Sequence, residues 1–426
     1  MVAARTLALA LACGLSITAP IVAAPIETAV PEQVGLSSER LQVLSKALAA
    51  EVAAGGMPGA VIAIARRGKL AYFETIGVRD PASKTAMPRD AIFSIASMTK
   101  PMVSVAVMML HDEGRLLLSD PIGRHLPALA AMKLGVVRTD TAGRTTVETT
   151  EPKRQPTIQD LLRHTSGLTY GGRGDTPIHK LWPASSSAAS ALYTGPELAE
   201  LLGRLPLLNE PGAVWDYSLS VDVLGLIVEQ IAGKSLGAFL AERLWQPLGM
   251  VDTGFAVPDA KKDRYALAFA NDPGTGRPQT VLHASGKPMR FECGGGCAVS
   301  TATDYLRFAQ MLLGGGMFEG RRYLSRKTLE MMISDQLGAD VRARTTSPVL
   351  SKGYGFGLGF AVRSQTGVAE LAGSTGDYNW GGAYGTYFWV DPREELAVVY
   401  MSAAPGEIRT RHRSLVKNLV LQAIAD

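Results

Sequence analysis

The chain has 426 residues, 46% of them hydrophobic and 19% charged, a balance that suits packed globular lobes and excludes a disordered or fibrous protein. Its 43 basic and 39 acidic residues leave a net charge of +4, with no basic run interleaved with aromatics. That excludes a nucleic-acid footprint and leaves a small molecule as the expected partner. Three cysteines and six histidines are too few and too scattered for a zinc site, and no His-Glu-x-x-His occurs, so neither metal nor cofactor is expected.

Residues 1–24 read as a secretory signal peptide: Arg5, an apolar stretch over 7–22, and small residues ahead of Pro25. A periplasmic or secreted protein is expected. Cys13 matches the lipid-attachment pattern poorly, and no later run is apolar enough to span a membrane. Behind the cap Ser37, Leu41, Leu44, Leu48 and Val52 recur at helical spacing. Residues 61–65 and 70–76 are β-rich runs around Arg66-Arg67-Gly68-Lys69, an antiparallel hairpin. A short extended stretch over 92–95 leads into a helix, apolar from Val103 to Leu110 and so buried on all sides, with Pro101 tolerable in its first turn.

Over 114–284 strand signals thin out. Residues 158–163, 197–202, 221–231 and 236–244 read as helices, a helical lobe inserted between two parts of a sheet lobe, 25–113 and 285–426. Two stretches, 139–151 and 171–194, are too long for ordinary connections and read as irregular lids or substrate walls. Arg173-Gly174-Asp175 in the second is taken as coincidence. Cys293 and Cys297 flank three glycines and could pair in an oxidising compartment. Thr301 to Asp304 has the form of a capping box ahead of a helix over 305–313. Sheet character returns at 354–362, 385–390 and 396–401, and an amphipathic helix over 408–424 closes the chain. The expected fold is α/β, an antiparallel sheet flanked by helices plus the helical lobe.

The chemistry concentrates at Ser97-Met98-Thr99-Lys100. In S-x-x-K a helix sets the lysine on the serine's face, and the helix N-terminus favours developing negative charge. Alone the pattern is weak, since a capping serine followed by a surface lysine spells the same. Two further elements stand in order: Tyr217 in Pro211-Gly212-Ala213-Val214-Trp215-Asp216-Tyr217-Ser218, and Trp380-Gly381-Gly382 near the end. With these the chain resembles the class C β-lactamase-like serine hydrolases, and most closely the family VIII carboxylesterases and transesterases. The resemblance runs from about Val34 to the C-terminus, through LLRHTSGL (161–168), YSLSVDVLG (217–225), LWQPLGM (244–250) and residues 294–305.

The resemblance implies a β-lactamase/penicillin-binding-protein-like fold and acyl transfer through Ser97, with Lys100 and Tyr217 activating it. It implies an oxyanion hole from the backbone of Ser97 and Ala383, and Trp380, Gly381 and Gly382 as substrate-binding residues. Two departures favour a small-molecule ester over a β-lactam. Tyr-x-Asn becomes Tyr217-Ser218-Leu219, and Trp380 replaces a carboxylate-binding cation. Gly233-Lys234-Ser235-Leu236-Gly237 matches the G-x-S-x-G elbow, but a helix precedes it, so Gly233 reads as a C-cap and Ser235 as an N-cap. The rival readings are a β-lactamase or D-amino-acid peptidase on the same scaffold, and a non-catalytic periplasmic binding or sensor protein.

Overall fold

The strand Gly59–Arg66 is buried at all eight positions because it lies between two partners and under helices on both faces. In the computed structural model, which describes residues 25–284, 289–345 and 347–426, it pairs antiparallel with Lys69–Asp80 and with Leu396–Ser402. The expected hairpin turns at Arg67 and Gly68, both at positive φ (52° and 77°). The signal-peptide reading of 1–24 lies outside the described residues.

The whole sheet has eight antiparallel strands: Tyr354–Phe356, Ala361–Arg363, Tyr378–Gly381, Tyr387–Asp391, Leu396–Ser402, Gly59–Arg66, Lys69–Asp80 and Thr85–Ala86, in that spatial order. Successive side chains of a strand point to opposite faces. Accordingly Ala60, Ile62 and Ile64 join one core with Leu41, Leu44 and Leu48 of the helix Ser38–Ala53 and Val416 and Val420 of Ile408–Leu421. Val61, Ala63 and Ala65 join the other core, with Tyr305, Leu306 and Phe308 of Ala302–Leu313. Beyond that helix lies Thr99–Asp112, buried at every residue from Thr99 to Leu110 and packed against Ser220–Ala232. It forms the seam between the sheet and the mostly helical region.

Four expectations need correction. Residues 171–194 are not irregular throughout: they hold the helix Ser186–Leu192, capped where Ser185 Oγ accepts from the Ala188 N–H at 3.2 Å. Residues 139–151 are not an irregular lid: Leu134–Thr139 and Thr145–Thr150 form a hairpin, closed where the Asp140 carboxylate accepts from the N–H groups of Ala142 and Arg144, both at 2.9 Å. Its strands are polar and largely exposed, so no buried alternation announced them. The run 354–362 is two strands, broken at Gly359 (φ 104°), where a side chain would strike Ser104 of the serine helix. The run 236–244 is a helix, Leu236–Leu240, that widens into a π turn, Ala241–Trp245. The caps hold as read: Gly233 sits at φ 65°, and Ser235 accepts from the N–H of Ala238 at 3.2 Å. Among the described residues no single helix is long and apolar enough to cross a membrane.

Under the sheet, Lys417 Nζ donates to Asp377 at 3.0 and 3.1 Å and to the Tyr354 hydroxyl at 2.9 Å, with Arg363 3.7 Å from the same carboxylate. Burial pushes the Asp377 carboxyl up and the Lys417 ammonium down, and each partner opposes the other's shift. Removing one member of such a buried pair costs about 3–5 kcal/mol, mostly through the charge left behind. Lys417→Ala is therefore expected to lower stability by about 3 kcal/mol in urea unfolding. Lys417→Ala with Asp377→Ala should lose less than the two single changes together; a strictly additive loss would show that the pair is not coupled.

Candidate active site

Ser97 sits in the 3-10 turn Ala96–Met98 that runs directly into Thr99–Asp112. Ala96, just before it, has φ 44°, a left-handed conformation costing a non-glycine residue about 1–2 kcal/mol. The turn is pinned on several sides. The Ile95 N–H donates to Ala298 O at 3.0 Å, the Ala298 N–H to Thr99 Oγ1 at 3.0 Å, Thr99 Oγ1 to Ala96 O at 2.7 Å, and the Tyr305 hydroxyl to Met98 O at 2.8 Å. Ser97 thus faces a cavity of about 780 Å³.

Lys100, one helical turn on, is 1% exposed. Its Nζ donates to Ser97 Oγ at 3.5 Å, to the Tyr170 hydroxyl at 3.2 Å and to Gly295 O at 2.5 Å. Behind these lies a second layer. The Tyr170 hydroxyl meets Ser186 Oγ at 2.8 Å, Ser186 donates to Asp222 Oδ2 at 2.7 Å, and the Gly295 N–H donates to Asp222 Oδ1 at 2.9 Å. Burial raises the Asp222 carboxyl, while Lys100 and these two donors pull it back. Burial, reinforced by Asp222 and Tyr217, holds the Tyr170 phenol well above its ordinary value, so it stays neutral and can both accept from Lys100 and donate to Ser186. A side chain on Gly295 would collide with Asp222 and Ser186. The loop carrying Gly295 is closed by a disulfide between Cys293 and Cys297, Cα atoms 5.2 Å apart.

Tyr217 presents its ring 4.4 Å from Lys100 Nζ, and Arg173 lies 4.8 Å from the same ring. Its hydroxyl accepts from the Trp380 indole N–H at 3.2 Å. His164 (φ 56°), Trp215 and Trp380 pack around the phenol. Burial drives His164 well below its ordinary value, with Lys100 and Arg173 adding to the shift, so it is neutral and Nδ1 accepts from the Ser218 N–H at 3.4 Å.

Ser97, Tyr217 and Ala383 all line the cavity, whereas Trp380, Gly381 and Gly382 do not. Trp380 was expected to offer its face to substrate; instead it is 6% exposed and serves the Tyr217 hydroxyl. The two glycines permit close approach: a side chain at 381 would strike Arg413, and one at 382 would strike Ile95 O and Thr386. Arg413 donates to Gly382 O and to Thr386 O, fixing the turn that carries Ala383 beside the serine. Ser235 lies outside this constellation. Tyr170, Ser186, Asp222, Gly295 and Arg173 carried no assigned role in the sequence, although Asp222 and Gly295 fall within stretches that resemble the family. Among the described residues no group of three or more His, Cys, Asp or Glu side chains is placed to hold a metal.

A helix-flanked antiparallel sheet with serine and lysine one turn apart at the foot of a cavity is the architecture of the serine hydrolases that include β-lactamases and penicillin-binding proteins. The chain belongs to the β-lactamase family, whose model matches residues 44–420. It is 37% identical over 357 residues to an uncharacterised protein of Mycobacterium tuberculosis, covering 82% of this chain and 86% of that one. It is 30% identical over 366 residues to esterase EstB of Burkholderia gladioli, covering 81% and 85%. The solved structure of EstCE1, described as a hydrolase with promiscuous acyltransferase activity, superposes with TM-score 0.72 at 26% identity, covering 90% of this chain and 98% of that one. The fold is thus the β-lactamase/penicillin-binding-protein type, in a family that includes esterases.

Two outcomes follow from this geometry. Trp380→Phe keeps an aromatic ring but removes one hydrogen bond to Tyr217; a bond of this kind is worth about 1 kcal/mol, so ester turnover should fall roughly five- to tenfold with the melting temperature little changed. Mass spectrometry of alkylated, non-reduced protein should find Cys293 and Cys297 both blocked, and two alkylated thiols would contradict the loop closure.

Proposed function

We propose that the protein is a carboxylesterase-type serine hydrolase that forms an acyl-enzyme on Ser97. The observation that carries this reading is the position of Lys100 Nζ, buried and shared between Ser97 Oγ, the Tyr170 hydroxyl and the Gly295 carbonyl. An ammonium has three donors and no acceptor, and these contacts employ all three. That leaves Tyr217 to take the serine proton. The Trp380 N–H at its oxygen and Lys100 Nζ over its ring hold the phenol in place beside the serine's lysine.

In the acylation step Ser97 Oγ bonds to the ester carbonyl carbon as its proton passes to Tyr217. The oxyanion is met by the backbone N–H groups of Ser97 and Ala383, a kind of donor whose single loss typically costs about 10²–10³ in rate. Collapse breaks the bond to the alcohol oxygen, which leaves with the proton from Tyr217. Water, or a second alcohol, then reverses the sequence and frees Ser97. Export to the periplasm or medium belongs to the same reading, supported by the apolar stretch at 7–22 and by the disulfide, which needs an oxidising compartment.

Ser97→Ala is expected to abolish both hydrolysis of p-nitrophenyl esters and covalent labelling by a fluorophosphonate, while Ser235→Ala leaves both near wild type. A dead Ser235→Ala would overturn the assignment. For the wild type, kcat/KM on short and medium p-nitrophenyl esters should exceed that on nitrocefin by at least about a hundredfold, because neither Trp380 nor Leu219 supplies the polar groups a β-lactam needs. Nitrocefin turnover equal to the best ester rate would favour the β-lactamase reading instead.

A further inference from the structure

The wall of the cavity opposite Lys100 carries charge that the hydrolytic reaction does not use. Arg173 lies over the outer face of the Tyr217 ring and makes no ion pair with any described carboxylate. Its position is built rather than incidental. Gly171, Arg173 and Gly174 belong to a tight turn pressed against neighbouring backbone and side chains: the Gly171 N–H donates to Pro183 O at 2.9 Å and the Gly172 N–H to Ala184 O at 3.2 Å. A side chain at 171 would strike Trp182 O, one at 172 would meet Ala184 O at 2.8 Å, and one at 174 would meet the His179 ring at 2.6 Å. Glycines on both sides therefore let the turn seat close, and Arg173 is the residue it delivers to the cavity.

The rest of the lining has the same bias. Arg344 is a second cation, engaged only at 3.8 Å with the exposed Asp340. The one acid in the lining, Asp216, is half-buried, and its Oδ2 has no hydrogen-bond partner among the described residues. Burial pushes its carboxyl upward, while Thr169, His179 and Arg173 pull it back. Asp216 thus acts on the guanidinium through space but does not pair with it. Stepping from Ser97 Oγ to Lys100 Nζ, to the Tyr217 ring centre and to Arg173 Cζ, at 3.5, 4.4 and 4.8 Å, puts the guanidinium within about 13 Å of the nucleophile. One medium-length substrate can reach both.

The geometry points to Arg173 as a specificity determinant for esters that carry a carboxylate some atoms away from the scissile bond. A guanidinium binds a carboxylate through paired charge-assisted hydrogen bonds, and Arg173, exposed at the cavity wall, is open to one carried in by a substrate. The cation that the sequence lacks at Trp380 is thus supplied from a loop on the other side of Tyr217, where it serves a differently placed anion. This inference rests on the ester-hydrolase reading and adds a substrate class to it.

The test compares matched substrates. On the acyl side, p-nitrophenyl half-esters of adipic, suberic and sebacic acid are set against p-nitrophenyl hexanoate, octanoate and decanoate. On the alcohol side, 4-(octanoyloxy)benzoate is set against phenyl octanoate. The readout is the ratio of kcat/KM for the anionic member to that for the neutral member, which cancels any general damage to Tyr217. Wild type should favour at least one anionic member, and raised salt should weaken that preference, mainly through KM. Arg173→Ala should lower the ratio about tenfold or more, Arg173→Lys should restore part of it, and Arg173→Glu should reverse it. The arm that responds identifies the side of the ester that bears the anion. A ratio unchanged by Arg173→Ala and Arg173→Glu in both arms would overturn the inference while leaving the hydrolase intact. Failure of wild type to turn over any ester in the set would overturn the hydrolase reading and this one with it.

Discussion

A lysine ammonium buried to 1% exposure is the constraint around which this molecule is arranged. A charge withdrawn from water must recover its solvation from fixed dipoles, or it destabilises the fold that buries it. Lys100 recovers it from one carbonyl and two hydroxyls, and each acceptor comes from a different part of the chain. The serine belongs to the lysine's own turn, Tyr170 follows a helix of the inserted region, and Gly295 lies in the disulfide-closed loop that returns the chain to the sheet. Asp222 ties the last two together, directly at Gly295 and through Ser186 at Tyr170. The same contacts that make burial of the charge tolerable also aim the ammonium at Ser97.

The surrounding architecture supplies the rigidity that such a site requires. The serine helix is sealed on all sides, so Ser97 and Lys100 share one inflexible element, while strained Ala96 is held in place by backbone partners from the segment ahead of Ala302–Leu313. Tyr217 is placed by aromatic packing and by one indole N–H from the sheet, so the candidate base is located by a strand 163 residues further along the chain. Preorganisation of this kind is what allows polar groups to act without reorganising during the reaction.

Local signals were legible and cross-chain ones were not. Ser97 and Lys100 could be read because three-residue spacing on a helix is itself a geometric statement, and the first hairpin because β-rich runs flanked a glycine turn. Tyr217 and Trp380 were found only through order and resemblance, and the resemblance placed Trp380 on a substrate wall, whereas its side chain turns inward to the tyrosine. Tyr170, Ser186 and Arg173 had no sequence signal of their own. Each acquires its meaning from a contact across many residues, although Ser186 and Arg173 lie in the stretch 171–194 that reads as a lid or substrate wall. The hairpin at 134–150 escaped for the opposite reason, since its polar, exposed strands lack the alternation that burial imposes.

The pairing of Gly59–Arg66 with Leu396–Ser402 has a consequence for biosynthesis. The innermost strand of the sheet is made early, yet the neighbour it needs on one side is among the last segments to leave the ribosome, tens of seconds later at ordinary elongation rates. The helix Ser38–Ala53 waits likewise for Ile408–Leu421, which covers the same face. Until that segment is available, residues 59–66, buried at all eight positions in the fold, lack one of their two neighbours. The sheet therefore cannot close until nearly the whole chain is available.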